Sequence, residues 1–142
     1  MPQAIISEHD ILEQLQPLLV EVLGVRPDEI HPHSELVADL GAESIDLLDL
    51  TFRIEESFKV RIEANELERE AVRQMPGGVY EKDGYLTAEA LVEIRRAAPE
   101  LDPAKLVTGL RKQDIPALLT VGFFVSMIGR KLTASGEGDP HA

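Results

Sequence analysis

Apolar residues at Ile11, Leu15, Leu18, Leu19 and Val22 recur at spacings of three and four, the period of one face of an α-helix. Ser7 stands before them as a capping residue and Gly24 after them as a stop, so the pattern predicts a helix from about Glu8 to Leu23. Pro17 falls inside that span; lacking a backbone donor, it is expected to kink the helix or restrict its first turn. The next stretch, Val25 to Leu36, holds two prolines and several cap-type residues and reads as a long ordered loop.

A second helix is expected from about Ser44 to Phe58. At about 100° per residue, Leu47, Leu50, Ile54 and Phe58 fall on one side, and Asp46, Asp49, Arg53 and Glu56 on another. Ile45, Leu48 and Phe52 form a third stripe. One apolar stripe is enough for a core, so the other must meet a cavity, a further helix or a partner.

From Lys59 to about Asp114 the pattern is less regular. A charged segment, EANELEREAVRQM, precedes Gly77-Gly78 and the stretch VYEKDGYL, which suggests a tight hairpin turn around Glu81-Lys82-Asp83-Gly84. Thr87 is placed to cap a helix ending before Pro99, and Asp102 to cap a short helix, DPAKLVTGL, with Pro103 in its first turn. The uncharged run Ile115 to Gly129 is shorter than the roughly 20 residues of a membrane span and contains Pro116 and Gly122, so a buried core helix is expected there. The last helix is expected from near Thr120 to Leu132, with Val121, Phe124, Val125, Ile128 and Leu132 on one face and Phe123 and Met127 opposite, needing cover. The fold class is therefore all-α: a small helical bundle in one domain, residues 1–132, followed by a small-residue, polar tail, 133–142, expected to be disordered.

The chain carries no cysteine, which excludes disulfides and thiolate metal or redox sites. Its start, MPQAIISEHD, lacks the basic and apolar regions of a secretory signal, so the cytoplasm is the expected location. Of the net charge of −12, residues 1–62 hold −9, from 13 acidic and 4 basic side chains. Such a field repels nucleic acid and anionic lipid and favours basic protein surfaces. His31 and His33 flank Pro32, but no third ligand is identifiable from spacing, and no metal site is expected.

Chemistry concentrates at DLGAESIDLLDL, residues 39 to 50, where Ser44 lies between Glu43 and Asp46 at the start of the second helix. It has three readings: nucleophile, helix cap or attachment point. GAESI is not a G-x-S-x-G elbow and no histidine neighbours it, which weighs against a catalytic serine. A helix N-terminus has unpartnered N–H groups and a positive dipole, so an anion attached there is stabilised, and Gly41 and Ala42 offer no bulky obstruction.

LGAESIDLLDLTFRIEESF, with SELVADL before it, resembles the signature region of acyl carrier proteins, and TVGFFVSMIGRKL resembles their last helix. The motif differs mildly in Glu43 and Ile45, and the segment between the second and last helices, about 63–113, is several tens of residues longer than usual. The resemblance implies no enzyme and no catalytic residue, but 4'-phosphopantetheine attached at Ser44. It also implies docking of partner enzymes through Glu43, Ile45, Asp46, Asp49, Phe52 and Glu56, and an acyl pocket lined by Leu48, Leu50 and Ile54. The implied partners are a phosphopantetheinyl transferase and acyl-transferring enzymes of fatty acid or lipid synthesis with basic patches. The carrier itself is expected to be monomeric. Lipid A or another long or unusual acyl chain is a possible cargo, with Leu91, Ile94, Leu106 and Leu110 of the insertion, together with Phe123 and Met127, expected to enlarge the pocket. The alternatives are a carrier-fold module that is never loaded and binds a basic partner, or a peptidyl or polyketide-type carrier.

Overall fold

The computed structural model describes residues 7–63 and 66–138. Helix α1 spans Glu8–Leu23, α2 Ser44–Phe58, α3 Glu66–Arg73, α4 Ala88–Ala97 and α5 Val121–Gly138. A two-stranded hairpin, β1 Glu81–Lys82 and β2 Tyr85–Leu86, precedes α4. The expected all-α class is what the chain adopts, the hairpin being its one small sheet among the described residues.

The Ser7 hydroxyl accepts from the Asp10 N–H at 3.1 Å, while the Asp10 carboxylate turns back to the Ser7 N–H, so the first turn of α1 is closed on both sides. Gly24 ends the helix in the left-handed region, φ 70°, which costs a glycine little. Pro17 stands on the exposed side and α1 continues through it. Ile11, Leu15 and Leu19 of α1 are buried against Leu50, Ile54 and Phe58 of α2 and against α5.

The long loop is held to the start of α5 by backbone bonds. Leu36 N–H donates to the Leu119 carbonyl (3.1 Å), Val121 N–H to Ser34 (2.9 Å) and Gly122 N–H to Pro32 (2.7 Å). The uncharged run Ile115–Gly129 is therefore not helical throughout, and the last helix starts close to Thr120, where it was expected. Lys112–Leu118 forms a 3-10 helix around Pro116, Leu119 turns extended, and α5 begins only at Val121. Proline lacks the N–H that an α-helical turn would need, and the extended residue frees backbone groups for the loop. The Thr120 hydroxyl accepts from the Phe123 N–H at 3.0 Å and so caps α5.

Residues 66–110 build the added unit. Leu67 and Ala71 of α3 are buried, as are Ala90, Leu91 and Ile94 of the α4 helix on which α3 packs. Asp83 and Gly84 both have positive φ, the signature of a type I′ turn, and Glu81 pairs with Leu86 and Lys82 with Tyr85. Thr87 caps α4 as expected, accepting from Ala90 N–H at 3.1 Å. The helix expected over DPAKLVTGL is only a 3-10 turn, Pro103–Lys105. The end of α5 also differs: the helix runs to Gly138, past the expected boundary at Leu132, because extending an existing helix needs no new nucleus. Residues 139–142 of the expected tail lie outside the described residues. Among those described, no helix is long and apolar enough to cross a membrane.

Candidate functional site

Gly41 turns the chain into α2 with φ 76°, a conformation that L side chains rarely adopt. Space does not demand a glycine here, since a Cβ would meet nothing within 4 Å. Ala42 is buried, its N–H donating to the Leu36 carbonyl at 2.8 Å, so its side chain offers the approach to the serine no obstruction.

Ser44 is the first residue of α2 and not its cap; Glu43 holds the cap position. Asp46, the third residue of the helix, turns its carboxylate back to accept from the Glu43 N–H at 2.9 Å, which marks Glu43 as the residue where the helix opens. The Ser44 side chain is exposed and makes no hydrogen bond among the described residues. The N–H groups of Ser44 and Ile45, in the first turn, have no acceptor within the helix, since the ladder starts with Leu47 N–H donating to Glu43. A phosphate ester on this hydroxyl fits: the oxygen is free, the helix pole is positive, and no neighbouring Cβ closes the approach at Gly41.

The three stripes of α2 separate as their spacing implies. Leu50, Ile54 and Phe58 are buried, whereas Ile45, Leu48 and Phe52 are exposed by 70%, 56% and 59%. Glu43 and Glu56 are exposed; Asp46 and Asp49 are partly buried. Asp49 lies 3.2 Å from Arg53, which also pairs with Glu21 of α1, so this part of the acidic stripe is locally neutralised.

An apolar cavity of about 850 Å³ lies beside α2. Its α2 wall consists of Leu48, Thr51, Phe52 and Glu55, which are four, seven, eight and eleven residues beyond Ser44 and so follow the same face of the helix. Leu48 is about 6 Å along the axis from Ser44 and Phe52 about 12 Å. The Glu55 carboxylate accepts from the Ile62 N–H at 2.8 Å, drawing the chain back along α2 so that Val60 and Ile62 form the adjoining wall. Leu67 of α3, Ile115, Pro116 and Leu119, and Phe123, Phe124 and Met127 of α5 complete its apolar lining, while Arg61, Glu63, Glu66 and Glu68 add charged groups.

Of the three residues expected to line an acyl pocket, one borders this cavity. Leu48 lines the cavity from its exposed rim, while Leu50 and Ile54 are packed in the core and are not part of the cavity wall. They face α1, one stripe away. Phe123 and Met127 do border it, and α3 of the insertion supplies part of their cover, but Leu91, Ile94, Leu106 and Leu110 do not line it. Leu91, Ile94 and Leu106 are instead buried in the apolar cluster that runs through the inserted unit and the carrier helices, with Leu110 partly buried against it. Thr51, Glu55, Leu67 and Leu119 escaped the sequence reading; the alternation in Val60-Arg61-Ile62 was the one local signal of a returning extended segment. His31 and His33 stack on one another, centroids 5.4 Å apart, and among the described residues no group of three or more potential metal ligands occurs.

The exposed Ser44 hydroxyl in the first turn of α2 thus lies on the helix face that leads to the cavity. Residues 13–75 match the family described as "Phosphopantetheine attachment site". The chain is also 38% identical over 59 residues to an acyl carrier protein of Wolinella succinogenes, an alignment covering 42% of this chain and 78% of that relative. The chain belongs to the acyl carrier protein family: it is a phosphopantetheine-dependent carrier and not an enzyme.

Proposed function

We propose that Ser44 is the residue that carries 4'-phosphopantetheine, and that the protein shuttles acyl intermediates of fatty acid or lipid biosynthesis. The observation that carries this reading is the alignment of the free Ser44 hydroxyl with Leu48, Thr51 and Phe52 on one face of α2, leading to the 850 Å³ apolar cavity. The thiol of the attached arm would hold the acyl group as a thioester. The cavity, bordered by Phe123 and Met127, supports long acyl chains as cargo, because burying each methylene is worth about 0.8 kcal/mol. Leu48 would guide the chain in, while Leu50 and Ile54 would support the helix from behind.

Glu43, Asp46, Asp49 and Glu56 beside exposed Ile45 and Phe52 form the docking stripe in this reading, suited to partner enzymes with a basic rim around an apolar spot. These partners include the phosphopantetheinyl transferase that loads the serine and the enzymes that exchange acyl groups. We place the protein in the cytoplasm as a monomer, since a net charge of −12 disfavours self-association.

Incubation with a phosphopantetheinyl transferase and coenzyme A, followed by intact-mass measurement, tests the attachment. One phosphopantetheine mass is gained by the wild type and none by Ser44→Ala. An unmodified wild type, or a gain that survives the substitution, overturns the assignment.

A further inference from the structure

The two walls of the cavity belong to different packing units. One is α2 and α5, both packed on α1; the other includes α3, which packs on α4 of the inserted unit. Glu66, the first residue of α3, reaches across. Its carboxylate oxygens lie 2.9 and 2.8 Å from the Lys131 ammonium of α5, sixty-five residues away in sequence. The pair is sheltered, its side chains exposed by only 30% and 23%. Lys131 is one helical turn beyond Met127 and Glu66 is next to Leu67, so the pair sits where the cavity's apolar lining ends. Most ion pairs among the described residues join near neighbours on one element; this one joins the inserted unit to the carrier helices at the cavity rim.

We infer that Glu66 and Lys131 clasp α3 against α5 across the cavity rim and thereby set how well an enclosed acyl chain is sheltered. This rests on the reading of the cavity as the acyl site. A sheltered ion pair that loses one partner leaves an uncompensated charge in a confined place, so either single substitution drives the walls apart and admits water. Glu66 also accepts from the Glu63 N–H at 2.8 Å, which makes Lys131 the cleaner position to change. Both are positioning residues, acting through the walls they join.

The test uses the holo protein loaded with either a long saturated acyl group or an acetyl group, and follows thioester cleavage by hydroxylamine. In the wild type the long chain is cleaved more slowly than acetyl. Lys131→Met and Glu66→Gln each raise the long-chain rate about two- to fivefold, the change that a pair worth up to about 1 kcal/mol would give, and leave the acetyl rate unchanged. Exchanging the charges, Glu66→Lys with Lys131→Glu, restores protection. The wild type needs no substitution for a second check: raising salt from about 0.01 to 1 M, which shortens the screening length from about 30 to 3 Å, accelerates long-chain cleavage only. Long-chain protection that is indifferent to both substitutions and salt overturns the clasp and leaves the cavity reading standing. Equal cleavage of long and acetyl thioesters in the wild type overturns the cavity reading, and the clasp with it.

Discussion

The Lys105 ammonium lies 2.8 and 2.9 Å from the two carboxylate oxygens of Glu35, seventy residues earlier in the chain. Glu35 is buried and its backbone bridges Thr120, just before α5, so this contact pins the inserted unit to the loop that leads into α2. The bond to Glu35 raises the Lys105 pKa above its usual 10.5. A raised basic group stabilises the fold fully below its unfolded value, and that contribution disappears as pH rises through the folded one. Burial also raises the Tyr80 pKa, with the charges of Glu68 and Glu81 adding to the effect, so its phenolate is favoured only on unfolding. Melting temperature is therefore expected to fall above about pH 10. Lys105→Met lowers it already at neutral pH and makes the alkaline fall shallower, which thermal melts across the alkaline range would measure.

Ser44→Ala is expected to leave unfolding free energy within about 0.5 kcal/mol of wild type, because the hydroxyl makes no hydrogen bond among the described residues. A serine acting as N-cap would cost about 1 kcal/mol when replaced. Asp46→Ala, by contrast, removes the acceptor for the Glu43 N–H and is expected to cost about 0.5–1 kcal/mol. Urea denaturation of the unloaded protein separates the two positions.

At Gly122 a Cβ would stand 2.9 Å from the Pro32 carbonyl oxygen, a backbone atom fixed by its bond to the Gly122 N–H. Gly122→Ala is expected to destabilise by about 1–3 kcal/mol. The control is Gly129→Ala, where the nearest atom is the flexible Ile11 Cδ1 at 3.4 Å. That substitution costs less, or gains from helix propensity. Comparison of the two midpoints in denaturant tests the close approach of loop and helix.

The Glu68 carboxyl borders both the apolar cavity and the neighbouring polar cleft. Burial raises its pKa, Lys112 draws it part of the way back and Glu81 adds to the rise. For an acid raised in the fold, stability falls as pH climbs through the folded value, so the ionised carboxylate is a small liability at neutral pH. Glu68→Gln is expected to raise the melting temperature at pH 7. The advantage shrinks as pH drops through the raised folded value and is lost below about 4.5, where both proteins are neutral at this position.

The first two helices were legible because their signals are local. Ser7, Gly24 and the three-and-four spacing of Ile11, Leu15 and Leu19 fix α1 within a few neighbours of each boundary. The α2 stripes were legible for the same reason. What escaped depends on contacts between distant segments. Serine suits both the cap and the first turn of a helix, and the choice at Ser44 was made by how far the Asp46 side chain reaches. Leu48 and Leu50 are both leucines on an amphipathic helix; only the positions of α1 and of the returning Val60–Ile62 segment decide which one lines the cavity. Likewise, Leu91 and Ile94 have the spacing of core residues, but nothing local says whether they border the cavity. Pro116 did signal a break, yet the extended Leu119 that follows it depends on the distant Leu36, whose N–H donates to the Leu119 carbonyl.

The cavity borrows its walls from two stretches of chain that answer to different demands. Residues on α2 face the solvent and the core at once, and in the proposed function partner enzymes too, so few of them are free to vary independently. Leu67 and Glu68 on α3 carry none of the α2 stripes, and the helix that bears them leans on its own neighbour α4. Resizing the compartment by altering that one wall is thus open to natural variation or to protein engineering without redrawing the surface around the serine.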